Sequence, residues 1–460
     1  MKIKCKSKEK DEGVDEYETN DKKRKKKLPK STRRAKRRKE NPMELTRSLK
    51  IRVYPNAAQK TLLKMWMGCA RLVYNMVVEN YRRRRRCTKQ FFFRSLLKLK
   101  INHTREWAFM ENVPYEVLDH AITYAVQARD EVIRKNKEAM DQGLHPIHRL
   151  SFASKKQDRQ GITIRAQYCR EPLKFYIRLL HNKTMLQADS DHPRQKDFSM
   201  HPPLHHERLR RNNGWPNLQG NVTMDSRLIY EKKLGHWTFV WVHNKQVVQS
   251  RDDQASDCDL KVVSIDPGVR TFLTWYSPTK GYGKIGDHDI NRIVRLCHSL
   301  DDLCSRTSKV PARKRNSMRR AQARMRCHIR NLVDEVHKKA ALWLVRTFDV
   351  IIIPKFNGGA MSRRKNRKIN SRTVRSMLTW GHSRFRSRLV SKAEEHRKKV
   401  TFVSEAYTSK TCSACGNIKY NLGGSKVYRC NACNVVMDRD VNGARGIFLR
   451  ALLDGAISLC

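Results

Sequence analysis

Residues 411–448 read TCSACGNIKYNLGGSKVYRCNACNVVMDRDVNGARGIF. Cys412 and Cys415 form one C-x-x-C, and Cys430 and Cys433 form a second. Each pair sits on a tight turn, the first helped by Gly416, and presents two thiolates to one ion. Four thiolates in tetrahedral geometry suit one Zn²⁺ in a closed structural site. A redox dithiol needs only one such pair, so two together point to metal. Tyr428 and the short polar linker fit a zinc ribbon over 407–437. Just past the last cysteine, Asp440 and Asn442 precede a helix of small residues, Gly443 and Ala444, able to pack closely on a sheet. Asp440 reads either as the N-cap of that helix or as a carboxylate aimed across the sheet. Hard oxygen ligands of the second kind hold Mg²⁺.

A sheet for that helix is legible upstream. KVVSID (261–266) is a buried strand, and Pro267-Gly268 turn the chain at once. Asp266 therefore stands at the carboxyl end of a strand, where α/β sheets place ligands; a turn-capping Asp is the plainer reading. TFLTWYS follows as a second strand. The stretch KVPARKRNSMRRAQARMRCHIRNLVDEVHKKAALWLVRTF reads as one or two helices, with an Arg-rich first half. Its second half carries an apolar face of Leu332, Val336, Ala340, Trp343 and Leu344. DVIIIP (349–354) is a continuous β-branched run, as expected of a strand buried on both faces. A helix near 374–397 leads to the strand KKVTFVSE, which ends at Glu405. The pattern from 258 onward is α/β.

Composition limits what this chain meets. Its 460 residues allow two to four domains, and 98 Lys+Arg against 44 Asp+Glu give a net charge of +54. Such a chain repels itself unless it meets a polyanion, and nucleic acid is the leading partner. No apolar run approaches the ~18–20 residues that span a bilayer, and no hydrophobic signal segment is seen, so no membrane partner is expected. The 13 cysteines, an odd count without framework spacing, fit a reducing compartment.

The N-terminal half is organised differently. Residues 1–43 lack periodicity, and KKRKKKLPKSTRRAKRRK (22–39) is nearly all basic, so a disordered tail with a nuclear localisation signal is expected. TRSLKIRVYP reads as a strand. A helix capped by Asn56 follows, with Leu62, Trp66, Cys69, Val73 and Val77 on one face. Arg82–Arg86 are five consecutive arginines, and residues 91–140 continue as helices. GITIRA, KFYIRLL, RLIYEKK and HWTFVWV alternate as short strands of a small β domain over 160–250. The histidines between His181 and His206 have no metal-ligand spacing and read as a polar loop.

Taken in order, DPGVRTF, the Arg-rich helix, VIIIPKFN, YTSKTCSACG…CNAC and DRDVNGARGI resemble the RuvC nuclease of transposon-encoded TnpB proteins, a family of RNA-guided DNA endonucleases. LKIRVYPNAAQKTLLKMWMGCARLVYN is similar to that family's opening segment, so the resemblance spans most of 46–450. It implies a multidomain α/β chain. A wedge β-barrel (44–57 and 155–255) would be interrupted by a helical recognition domain (58–154). An RNase H-like RuvC domain (258–460) would follow, with the Arg-rich helix at 313–346 and the inserted zinc ribbon. It also implies a guide RNA of the omega type, one protein per RNA, a double-stranded DNA target and two catalytic Mg²⁺ ions. By motif, Asp266 is the first catalytic carboxylate and Asp440 the last. Arg313, Arg315, Arg319, Arg320, Arg324 and Arg326 resemble the arginines that cradle the guide–target heteroduplex.

One position departs from the pattern. The family's second catalytic residue is a glutamate at the end of the VIIIP strand, and Pro354 stands there. The nuclease is then dead and the chain an RNA-guided DNA binder, or two aspartates suffice, or the glutamate has moved. Glu405 ends the following strand, which in an RNase H-like sheet is the neighbour, about 4.8 Å away. The resemblance to the eukaryotic branch, called Fanzor, implies that relocation, and the basic tail agrees with a nuclear protein. Glu394 and Glu395 read as residues of a surface helix, and Asp349 lies at the strand's wrong end. A transposase joining strands without RNA is a further alternative.

Overall fold

A computed structural model describes residues 44–83, 89–93, 95, 109–110, 113–166, 174–176, 197–199, 223–248, 260–355, 362, 370–455 and 457. The basic tail and the histidines between His181 and His206 lie outside the described residues. The chain divides into two compact units, Thr46–Lys245 and Gln246–Cys460.

In the first unit the strands are β1 (Glu44–Val53), β2 (Arg159–Ile164), β3 (Lys174–Tyr176), β4 (Asp197–Ser199), β5 (Ser226–Glu231) and β6 (His236–Gln246). Four of them form one sheet in the order β1-β6-β5-β2, while β3 pairs with β4. Helix α1 (Ala57–Arg82) starts at a capping box, in which Asn56 and Gln59 each accept the other's backbone N–H. Its buried stripe of Leu63, Trp66, Cys69, Val73 and Val77 packs with α2 (Tyr115–Asp141) and with Ile51, Ile162, Leu228 and Phe239 of the sheet. Strands and helices of this unit thus share one core.

The second unit is built on a five-stranded sheet. Its strands are β7 (Val262–Pro267), β8 (Leu273–Ser277), β9 (Gly281–Ile285), β10 (Val350–Pro354) and β11 (Lys399–Val403), in the order β11-β10-β7-β8-β9. β7, β8 and β9 form an antiparallel meander, whereas β10 runs parallel to both β7 and β11. Parallel neighbours need long crossovers. Helices α3 (Asp289–Lys309) and α4 (Ala312–Thr347) supply the first, and α5 (Ser371–Trp380) and α6 (His382–Glu395) the second. The arginine-rich stretch is therefore one 36-residue helix. The helix expected near 374–397 is two, broken at Gly381, whose φ of 62° is left-handed.

Alternation along the strands sorts the two faces. Val263, Ile265, Ile351 and Ile353 pack under α3, α4 and α6. Ile352 and Val403, with Val262, pack under the last helix, α7 (Arg439–Leu453), through Ile447, Phe448 and Ala451. The buried face of α4 is rotated from the expected stripe. Val333, His337, Ala340, Ala341, Leu344 and Val345 are buried, while Trp343 is exposed. Between β11 and α7 comes a small ribbon in which β12 (Val427–Arg429) pairs with β13 (Val436–Asp438). Among the described residues, no helix is long and apolar enough to cross a membrane.

Candidate metal centres

Parity places Asp266. It continues the row Val262, Ser264, Asp266 and so faces α7, where Ser264 Oγ donates to the Ala444 carbonyl at 2.7 Å. Gly443 makes the approach possible, since a Cβ there would lie 2.6 Å from Asp266 Oδ2. The turn that follows is held from the opposite face. His382 Nε2 donates to the Gly268 carbonyl at 2.9 Å, and Trp380 Nε1 to the Val269 carbonyl at 3.0 Å. Gly268 is required there, because a Cβ would stand 2.5 Å from the Thr271 carbonyl oxygen. Phe272 stacks on both His337 and His382, and burial lowers each imidazole to about 4, so both remain neutral near pH 7.

Strand register places Pro354 and Glu405. Ile352 pairs with Ser264, so two residues further Pro354 stands level with Asp266; on its other side Pro354 pairs with Val403. β11 ends at Val403, not at Glu405. Glu405 lies two residues beyond Val403, past the strand, where a turn begins. That turn is tied down: the Glu405 carbonyl accepts from Thr408 Oγ1 at 3.0 Å, and Tyr407 adopts φ 64°. It also lies tight on α7, where a Cβ on Gly446 would come within 2.6 Å of the Thr408 carbonyl oxygen.

Asp440 occupies the first turn of α7. The N-cap is Asp438 instead: its Oδ1 accepts from the amides of Asp440 at 2.8 Å and Val441 at 3.4 Å. The two aspartates of DRD thus differ in role: Asp438 holds the helix end, and Asp440 does not. Sequence reasoning offered the cap to Asp440, and an Asp two residues earlier was the signal it passed over.

Asp440 and Glu405 both lie near enough to Asp266 to act on its charge. Burial, then the charges of Asp440 and Glu405, push Asp266 up to about 7, against a smaller pull from Arg439. Burial, then Asp438, raises Asp440. Glu405 is an exposed residue whose carboxyl group is nonetheless partly desolvated, which raises its pKa too. Carboxylates raised in this way are of the kind that suits a divalent ion. The other acids considered lie elsewhere. Asp349, at the start of β10, accepts from the Lys261 amide at 3.0 Å and from Lys398 Nζ at 2.5 Å. Glu395 is buried rather than on a surface helix, with Lys392 Nζ 3.0 Å away.

The raised acid has a testable sign. Stability linked to protonating Asp266 is fully present below its unfolded pKa and is lost as pH rises through about 7. Asp266→Asn mimics the protonated form. In metal-free protein it should melt a few degrees above wild type at pH 8, and the gap should narrow as pH falls and close only below about 4, the ordinary unfolded value. Saturating divalent cation should raise the wild-type melting temperature alone. A gap that does not change with pH would mean Asp266 is ionised throughout.

The cysteines form the second centre. All four Sγ atoms lie within 4.8 Å of one another, with Cys412–Cys433 at 3.7 Å and Cys415–Cys430 at 3.6 Å. Left-handed residues close both knuckles, Gly416 at φ 78° and Asn434 at φ 55°. Backbone amides, Cys433's first, lower the Cys430 thiol to about 6, favouring the thiolate a metal needs. The donor set and spacing fit zinc. Buried Asn442 joins this centre to α7. Its Oδ1 accepts from the Ser413 amide at 3.0 Å, and its Nδ2 donates to the Thr411 carbonyl at 2.8 Å.

Of the six arginines singled out on α4, Arg313, Arg319, Arg320, Arg324 and Arg326 are exposed. Arg315 instead folds back, its Nε donating to the Val310 carbonyl at 2.6 Å.

Comparisons with known proteins bear on both halves. Residues 382–447 match the family model described as Cas12f1-like, TNB domain, and residues 43–90 match a helix-turn-helix domain model named for IS605 OrfB. TnpB-like protein L79 of Acanthamoeba polyphaga mimivirus is 30% identical over 187 residues, 40% of this chain and 36% of that protein. A Streptomyces pristinaespiralis protein named as a candidate RNA-guided DNA endonuclease is 23% identical over 420 residues, 90% of this chain and 91% of that one. The chain spans about a third of the length of the mimivirus relative. Among solved structures, a Cas12f1–sgRNA–target DNA complex aligns at TM-score 0.47 and 14% identity, covering 88% of this chain and 98% of that one. The chain thus has TnpB-like relatives and carries a Cas12f1-like TNB segment.

Proposed function

We propose that this chain is an RNA-guided DNA endonuclease of the Fanzor kind, which hydrolyses phosphodiester bonds with Mg²⁺. The observation that supports the proposal is that the charges of Asp440, on α7, and Glu405, past the end of β11, both act on buried Asp266 at the end of β7. The strand order β11-β10-β7-β8-β9 supports an RNase H-like RuvC domain. These three carboxylates would hold two Mg²⁺ ions; a bound pair activates water and stabilises the leaving oxygen. Arg439, beside Asp266 and Asp440, offsets part of their charge. The four cysteines would hold one Zn²⁺ and fix the start of α7. The exposed arginines of α4 would take the phosphate backbone of a guide–target heteroduplex. The first unit would supply the wedge and recognition domains. The basic tail would carry the protein, with an omega-type guide RNA, to the nucleus.

A second reading rests on Pro354, which leaves empty of charge the position level with Asp266: a nuclease-dead, RNA-guided DNA binder. One experiment separates the two. Full-length protein is purified, its co-purifying RNA sequenced, and the complex incubated with a matching plasmid and Mg²⁺. A discrete RNA and guide-dependent cutting are expected. Guide-dependent binding without cutting would establish the dead reading, and absence of any discrete RNA would sink both.

A further inference from the structure

The strand β9 and its lysine were not legible in the sequence. Asp266 pairs with Thr274, and Thr274 pairs with Lys284, so the three stand in one row across β7, β8 and β9 on the α7 face. Lys284 Nζ donates to Asp438 Oδ2 at 2.7 Å. The other oxygen of Asp438 accepts from the amide of Asp440 itself at 2.8 Å. A continuous set of contacts thus runs from the sheet edge to the backbone of Asp440, whose charge acts on Asp266.

The register of β9 is fixed as if that lysine matters. Gly283 sits opposite Trp275, where a Cβ would stand 2.8 Å from the indole ring. Gly286, at φ 69°, lies as close to Phe272 Cβ, at 2.8 Å. Thr271 Oγ1 donates to Asp287 Oδ1 at 2.9 Å, tying the strand's exit to the turn after β7. A one-residue slip would carry Lys284 to the opposite face, and these contacts prevent it.

We propose that Lys284 is a positioning residue for the carboxylate centre: its ammonium holds Asp438, and through Asp438 fixes the first turn of α7 so that Asp440 faces Asp266. The inference rests on the reading of Asp266, Glu405 and Asp440 as a divalent-cation site. It predicts a direction that charge alone does not. Removing a cation next to acids tightens divalent-ion binding by electrostatics, whereas losing the support of Asp440 weakens it.

The test measures Mn²⁺ binding to the full-length chain by electron paramagnetic resonance, with zinc content and melting temperature as controls. Lys284→Met should bind Mn²⁺ about tenfold more weakly, with zinc retained, and Lys284→Arg should stay near wild type. Should Lys284→Met melt early, Lys284→Gln decides, with weaker binding again expected. Unchanged or tighter Mn²⁺ binding in the folded variants overturns the inference, as does an arginine variant no better than methionine. Asp266→Ala separates the two layers. If wild type shows no Asp266-dependent Mn²⁺ site, the cation-site reading fails. A site that depends on Asp266 and is indifferent to Lys284 sinks only the lysine's role.

Discussion

Glu405→Ala should leave guide-dependent DNA binding intact and lower Mg²⁺-dependent cleavage by about a thousandfold or more. Loss of metal coordination removes several kcal/mol of transition-state stabilisation, and each ~1.4 kcal/mol is tenfold in rate. The expectation follows from where the residue stands. Pro354, level with Asp266, carries no ligand. Glu405 follows Val403, the partner of Pro354, by two residues and contributes to the electrostatic rise of Asp266. The other acids considered are engaged: Asp349 with Lys261 and Lys398, Glu395 with Lys392, and Asp438 with Lys284 and the end of α7. Binding should survive because Glu405 lies on an exposed turn, outside the hydrophobic cores. A gel-shift and a plasmid-cleavage assay on one preparation check both parts. Wild-type cutting by the variant would remove Glu405 from the site and return the question to two aspartates.

Removing zinc should be as damaging, through folding rather than charge. Structural zinc contributes roughly 10–16 kcal/mol to small zinc-finger peptides, and apo forms are unfolded. Here the hydrophobic core of the ribbon is Cys412, Tyr428 and Cys430, with Leu422 and Met437 packed alongside, too small to hold without metal. Chelation, or Cys412→Ser, should expose 407–437 to protease and release the Asn442 clamp on the Ser413 amide. Because β13 runs straight into the Asp438 cap, Asp440 should lose its place and cleavage should fall to background. The five-stranded sheet has its own core and should persist. Metal analysis, limited proteolysis and cleavage on one sample report all three. A chain that retains a protease-resistant ribbon and full cleavage after chelation would show that the cysteines serve another purpose.

The neutral histidines beneath the site illustrate how little of its support is written locally. His337 is a lone imidazole on an otherwise apolar helix face, and His382 follows a glycine between two helices. Neither has a spacing that marks it, yet both stack on Phe272, and His382 secures the turn that carries Asp266. Glu395 was misplaced for the same reason: helical periodicity ranks positions by the polarity of their neighbours, so a buried acid bonded to lysine reads as surface.

The sequence by itself determined whatever is encoded by short spacings. Cysteine pairs three residues apart name a tetrahedral thiolate site, β-branched runs name buried strands, and Asp266 before Pro-Gly names a strand's end. These signals survive in one dimension because each depends on the geometry of a single turn or strand. Only the tertiary structure decided which strands are neighbours, and therefore that the charge of Glu405 acts on Asp266 while Asp349 pairs with Lys398 at the other end of its strand. It alone divided Asp438 from Asp440, since a cap and a free carboxylate two residues apart have the same letters around them. It alone produced the Lys284–Asp438 contact, which joins residues 154 positions apart. Such contacts are set by hydrogen-bond register and by the close packing that Gly443 and Gly446 permit α7, and no local pattern carries either.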